Sequence, residues 1–298
     1  MNQIQTNIGF QKNEIRLLQV LVVCLFLGRA YQGLYWDLPL RAFFWNSYLL
    51  KGFVEWFWGI SWQEYATDVE HTDAFINRVN KGLGFFWLGC AAIAALMHLK
   101  KRWMAWLMYL GSFSLLLLAT LYWMDLFFAW GQFFEYILQV AAPLWLVHSV
   151  FNGQNTPRFR WGLKIGIAVA FLCHGLYAYG YYPQPGPWVQ WCMDMFFIRP
   201  DDNAKAFLKI MGILDFIAAL LLLIPYRPAL NIALWYCIIW GTMTALARIS
   251  SNFYLDFPLE SLHQWTFQTL IRLVHGGIPL LLWIWERRAR ITGKSGKV

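Results

Sequence analysis

The amino-acid sequence predicts an all-α polytopic membrane protein of about eight transmembrane helices, arranged as two parallel four-helix repeats. Three observations predict it: the chain is poor in charge, its apolar residues fall in runs of span length, and its loop charges sort by sign. Hydrophobic residues make up 59% of the chain and charged residues 13%, against about 25% charged in an ordinary soluble domain. So little charge cannot cover a surface that faces water, and lipid is the natural solvent. Aromatic residues reach 19%, including 19 Trp. Many stand beside the expected span ends, where an amphipathic ring meets the headgroups. The net charge of +8 does not mark a nucleic-acid binder, because the basic residues sit in short loops between apolar runs. The lipid bilayer is the expected partner, and nucleic acid is not.

A helix needs about 20 apolar residues to cross the hydrocarbon. Eight such runs lie near 15–36, 80–98, 103–124, 131–151, 161–182, 205–225, 229–250 and 264–286. Asn2 to Glu14 is polar and the run after it has no small-residue cleavage site, so the first span is expected to be retained. With the N-terminus inside, the cytoplasmic segments collect Lys12, Arg16, Lys100, Lys101, Arg102, Arg158, Arg160, Lys164, Arg227, Arg287, Arg288, Arg290, Lys294 and Lys297. Their acids are Glu14 and Glu286. The opposite side holds Asp37, Glu55, Glu64, Asp68, Glu70, Asp73, Asp125, Asp194, Asp201, Asp202, Asp256 and Glu260, with fewer basic residues. This positive-inside pattern predicts a bacterial inner-membrane protein with both termini cytoplasmic.

The longest external segment is 37–79. Its stretch from Lys51 to Trp62 sets Trp56, Trp58 and Trp62 among charges, which reads as an interfacial or re-entrant helix. Such a helix either covers the bundle or forms a lid over a ligand site. Of the five cysteines, Cys24, Cys90, Cys173 and Cys237 fall in apolar runs, as small buried hydrophobes do. Cys192 falls in an external loop and is the one expected to be exposed to redox chemistry. No Cys-x-x-Cys pair is present, which removes a thioredoxin-like or zinc-ribbon reading.

The halves 1–152 and 153–298 repeat one another in order. Phe26-Leu-Gly-Arg29 matches Phe171-Leu-Cys-His174, Gly84 matches Gly212, Arg102 matches Arg227, and Ala142-Pro143 matches Ile278-Pro279. Four spans per half give both halves the same orientation, the parallel kind of repeat. Each proline should kink its helix and free a carbonyl one turn earlier. In lipid that carbonyl is tolerable only inside protein, so both helices are expected to face the bundle interior.

The second half also resembles a known family. Leu208-Lys-Ile-Met-Gly-Ile-Leu-Asp215 with its following leucines, the turn Tyr226-Arg227-Pro228 and the earlier Phe171-Leu-Cys-His-Gly look like the DoxX/DoxD-like membrane family, here in a tandem duplicated form. In the first half Trp87 stands where that pattern has its acidic residue. The resemblance implies small four-helix membrane units. It also implies a link to quinone-dependent oxidoreduction or membrane-associated thiol-stress complexes.

Ionisable residues inside spans are expensive and point to function. Arg29, Glu135, His174, Asp215, Arg248, Arg272 and His275 are the candidates. They are expected to converge on one outward-facing polar cavity. Asp215, Glu135 and His275 are the candidate proton-handling, catalytic residues. Arg29, His174, Arg248 and Arg272 are the candidate substrate-binding residues. Each has a plainer alternative: arginines snorkel to headgroups, carboxylates pair, and histidines bond between helices. His174 and His275 lie at comparable depth, which leaves open a bis-histidine haem b or hydrogen bonds to quinone carbonyls. No His-x-x-x-His spacing marks a metal site. A phosphate loop and a dinucleotide fingerprint are also missing from the sequence, so soluble cofactor chemistry requires a redox partner subunit. Three functions remain: a quinone-linked redox subunit, a non-catalytic membrane scaffold, and a small-solute transporter or channel.

Overall fold

The computed structural model describes residues 8–295. Asn2 and Lys297, named above among the terminal polar and basic residues, lie outside the described residues, as do the side chains of Arg290 and Lys294. The chain is helical nearly throughout, as the apolar runs predict. In order, α1 (Lys12–Tyr35) leads into three short external helices, α2 (Arg41–Phe44), α3 (Ser47–Phe57) and α4 (Trp62–Thr67). Then come α5 (Val69–Ala95), α6 (Arg102–Asp125), and α7 (Trp130–Glu135) followed at once by α8 (Ile137–Phe151). The second half holds α9 (Pro157–Tyr179), the short α10 (Gly186–Phe196), α11 (Asp201–Leu223), α12 (Arg227–Ser250) and α13 (Pro258–Ser295). A two-residue antiparallel pair joins β1 (Ile8–Gly9) to β2 (Gln154–Asn155).

Seven helical segments are long and apolar enough to cross a membrane: α1, α6, α7 with α8, α9, α11, α12 and α13. The expected second span differs. Its helix, α5, begins at Val69 rather than near 80, and its outer part carries Asp73, Arg78 and Lys81. That outer turn is anchored by polar contacts, with Asn80 donating to Asp37 at 2.6 Å and Asp73 accepting from Arg41. Even so, α5 lies antiparallel against α1 along its length. Gly33 of α1 meets Asn80 and Gly84, and Gln19 near the other end donates to the Ala94 carbonyl at 2.8 Å. It therefore covers the same depth as α1.

Close packing at glycine sets this geometry. A Cβ at Gly84 would stand 3.0 Å from the Leu34 nitrogen and 3.1 Å from the Ala30 carbonyl oxygen. A Cβ at Gly212 would stand 2.6 Å from the Tyr179 nitrogen and 2.9 Å from the Gly175 carbonyl oxygen. Each glycine thus lets two helix backbones touch, α1 with α5 and α9 with α11. The sequence match of the two segments pairs Ala30 with Gly175 and Leu34 with Tyr179, so the two contacts fall in the same register.

One end of the bundle is tied by charge and strand pairing. Glu14 pairs with Arg288 at 3.0 Å, Lys164 with Glu286 at 3.4 Å, and β1 binds the connection between the halves. Phe10, Phe159 and Trp285 pack together in the same layer. The N-terminal segment, the 152–157 connection and the inner part of the last helix therefore share one end. At the other end, α3 and α4 form a minor cluster around Leu50, Val54 and Tyr65. Tyr48, Trp56 and Phe57 of α3 are exposed, as an interfacial helix requires. The two cavities described below are lined by α10 of the second half and not by α3.

Candidate functional site

The site grows from a break in the fourth span. The helix interrupts at Tyr136, and the last residue before the break is Glu135. Helix α9 brings His174 to it, and α13 brings Arg272 and His275, one turn apart on one face. Glu135 is 3% exposed and His275 is 2% exposed. Arg272 Nη1 forms an ion pair with Glu135 Oε1 and stands 3.1 Å from His174 Nε2. His174 Nε2 is 3.2 Å from the same Glu135 oxygen. The two imidazole centroids lie 5.4 Å apart.

Two cavities flank this cluster, with Trp188 of α10 lining both. The first holds about 560 Å³ of empty space, part of it open to the exterior. Its walls include Trp188, Trp191, Trp240, Met195 and Met243, and its polar groups include His174, Asp215, Thr244 and Arg248. Asp215 Oδ1 lies 2.8 Å from the Tyr236 hydroxyl. Arg248 donates to the Thr244 carbonyl and stacks its guanidinium 4.8 Å above Trp191. The second cavity is wider, about 1330 Å³ including open space, and reaches Glu135 and Arg272 past Gln132, Tyr177 and Tyr182.

Arg29 is the one predicted residue set apart. It lies on the first-half side, donating to Gln32 at 2.7 Å and Gln139 at 2.6 Å, with its guanidinium 5.1 Å from the Tyr136 ring centroid. Among the described residues no carboxylate pairs with Arg29 or Arg248. Both side chains are buried, so the snorkelling alternative fails for each. The charges turn inward because polar or aromatic partners wait on neighbouring helices. The single outward-facing polar cavity of the sequence reading is replaced by two cavities and a closed ion-pair cluster between them.

The halves diverge where chemistry concentrates. Trp87, which matches Asp215 of the second half, donates its indole N–H to Ser114 at 2.8 Å. Arg29 bonds Gln139 where the second half sets His174 beside His275. Pro143 and Pro279 both stay within continuous helix. The carbonyls that they free belong to Gln139 and His275, since a proline lacks the N–H that would bind the residue four before it. The prolines thus mark the site-bearing turn in both halves.

Cys192 corrects an expectation. It is buried against Val189, Ala204 and Leu208 and lines the first cavity. Burial pushes its thiol up to about 11, because a thiolate is poorly solvated there. The reason is the amphipathic turn of α10, which packs Trp191 and Cys192 onto the second half. Sequence reasoning missed the tryptophans of α10 as cavity walls. Their spacing, Trp188, Trp191 and Cys192 at i, i+3 and i+4, was the available signal.

A bis-histidine haem would need a macrocycle's width at His174 Nε2, where Glu135 and Arg272 are already packed. Comparison with known proteins found no matching family model, no matching curated protein and no matching solved structure. What the chain establishes is its class: an integral membrane protein built of helices.

Proposed function

We propose that this chain is a DoxX/DoxD-like membrane subunit of a quinone-linked redox system, binding a quinone headgroup in the first cavity. The observation that carries the reading is the composition of that cavity: three tryptophans and two methionines around His174, Asp215 and Arg248. A quinone is a flat apolar ring with two carbonyl acceptors. Indole faces stack on such a ring, and the guanidinium of Arg248 has unspent donors for one carbonyl. His174 faces the other. Asp215 is the group placed to accept a quinol proton. The Tyr236 hydroxyl has one hydrogen and two acceptors in reach, Asp215 Oδ1 and the Met211 carbonyl at 3.2 Å, which leaves Asp215 able to hold a proton of its own. Glu135, Arg272 and His275 form the polar connection from this cavity towards the wider one. Electrons pass to a soluble or membrane redox partner subunit.

The wider frame is part of the same proposal. The chain lies in a bacterial inner membrane with both termini cytoplasmic, a placement that the basic segments support. Its two halves are duplicated units, supported by the matched glycine contacts. Short-chain quinone should slow maleimide labelling of Cys192, which lines the same cavity. Asp215→Asn and Arg248→Gln should weaken that protection about tenfold each, the loss of one hydrogen bond to a charged group. No protection at saturating quinone, together with no quinone in lipid extracts of the purified protein, would sink the assignment.

A scaffold reading is favoured by one observation, the closed pairing of Glu135 with Arg272 and His174. It predicts that neutralising Asp215 alters stability without altering quinol turnover.

A further inference from the structure

The Glu135 cluster contains an unmet lone pair. His275 Nδ1 lies 3.2 Å from the Arg272 carbonyl oxygen. A carbonyl only accepts, so Nδ1 carries the proton and Nε2 carries the lone pair. That Nε2 is buried with no hydrogen-bond partner, an arrangement that costs about 1–3 kcal/mol when left uncompensated. One ring nitrogen of His174, one of His275 and a carboxylate oxygen of Glu135 all lie within 4.8 Å of one another. In a four-coordinate site with bonds of about 2.0–2.1 Å, ligand atoms stand roughly 3.3 Å apart. The trio needs only modest closure to reach that spacing.

The cation at this point is Arg272. Its Nη1 serves Glu135 and approaches His174, but no hydrogen bond from it reaches His275 Nε2. One divalent ion would engage all three lone pairs, where the guanidinium engages two. The ligand set of two imidazoles and one carboxylate selects zinc, iron or cobalt over magnesium and calcium, which favour all-oxygen shells. The bond from His275 Nδ1 to a backbone carbonyl is the outer-shell contact that fixes a ligating imidazole. Arg272 also lines the wide second cavity, so its side chain has somewhere to go.

We propose that Glu135, His174 and His275 form a three-ligand site for a divalent transition-metal ion, and that Arg272 is an internal cation that competes for it. Three helical segments, α7, α9 and α13, supply the ligands, so metal binding clamps the two halves together across their junction. The fourth coordination position opens towards the second cavity, where Arg272 retreats. This site shares His174 with the quinone reading, and Glu135 and His275 with its polar connection, but it does not rest on that reading. Asp215, Trp191 and Cys192 are not its ligands, and loss of quinone protection at Cys192 would leave it untouched.

The test is a Co²⁺ titration of chelator-stripped protein in detergent, purified without a histidine tag. Visible absorption reports the coordination, and elemental analysis reports the stoichiometry. One Co²⁺ per chain should bind, and Zn²⁺ should displace it. His275→Ala and Glu135→Ala should each weaken binding by at least about tenfold, the scale on which metal sites respond to lost contacts. Arg272→Gln should tighten binding by about tenfold or more, because a guanidinium a few ångströms from a dication repels it. It should also enlarge the rise in Tm that Co²⁺ gives at a fixed concentration. A structural role alone would not produce that gain. Folded wild-type and Arg272→Gln proteins that both fail to bind Co²⁺ would overturn the proposal. So would Co²⁺ binding that is equal in wild type and His275→Ala, since the ion would then sit at other histidines.

Discussion

Glu135 stands at the centre of the buried charge. It accepts from Arg272 and faces His174, and it is the one buried acid paired in that cluster. Removing its charge leaves a guanidinium in low dielectric without compensation. Glu135→Gln should therefore destabilise the protein by about 3–5 kcal/mol, the cost of breaking a buried pair from one side. Thermal unfolding in detergent would show this as a marked drop in Tm. Cys192 supplies a second test at the same scale. A thiol raised to about 11 is almost wholly protonated at neutral pH, and the thiolate is the reactive form. Its alkylation should be slow near pH 7 and rise roughly tenfold per pH unit until the pH approaches that value. A rate that levels off near pH 8.5, as for a free thiol, would contradict the burial.

At the scale of elements, two glycine contacts hold the helix pairs. A Cβ at Gly212 would come to 2.6 Å from a backbone nitrogen, whereas one at Gly84 would come to 3.0 Å. Backbone cannot yield as a flexible side chain can. Gly212→Ala should accordingly cost more than Gly84→Ala, with both in the range of about 1–3 kcal/mol for overpacking. Unfolding of the two variants side by side would measure the order. The broken helix at Tyr136 works differently. It aims Glu135 from the end of α7 into the junction of the halves, while α8 continues past Pro143. The short α10 is the element that partitions the cavities, and it does so through Trp188.

Across the whole molecule, the ion pairs Glu14–Arg288 and Lys164–Glu286 and the β1–β2 pairing place the start of α1, the start of α9, the Glu286–Arg288 stretch of α13 and the central connection in one layer. The exposed aromatic face of α3 lies at the opposite end. Single cysteines introduced at Lys100 and at Trp56 should therefore label from opposite sides of an intact membrane with an impermeant maleimide. On the proposed orientation, the Trp56 site labels from outside intact cells and the Lys100 site only after lysis. Labelling of both from the same side would contradict the architecture.

The sequence by itself determined the helical membrane class, the placement of most long apolar helices and most of the buried ionisable residues, though Glu14, placed in a cytoplasmic segment, is buried as well. These follow from local quantities, apolar run length and loop charge, which the bilayer reads one segment at a time. The start of α5 escaped because its outer turns are polar and are held by Asp37 and Arg41 from a distant segment. Partnership lay beyond the sequence as well. Glu135 and Arg272 are far apart along the chain and meet across three helical segments, and Arg29 turns away to Gln139 instead of joining them. Only the tertiary structure decided which charge met which, because pairing depends on how helices rotate and cross, and that is fixed by packing between segments.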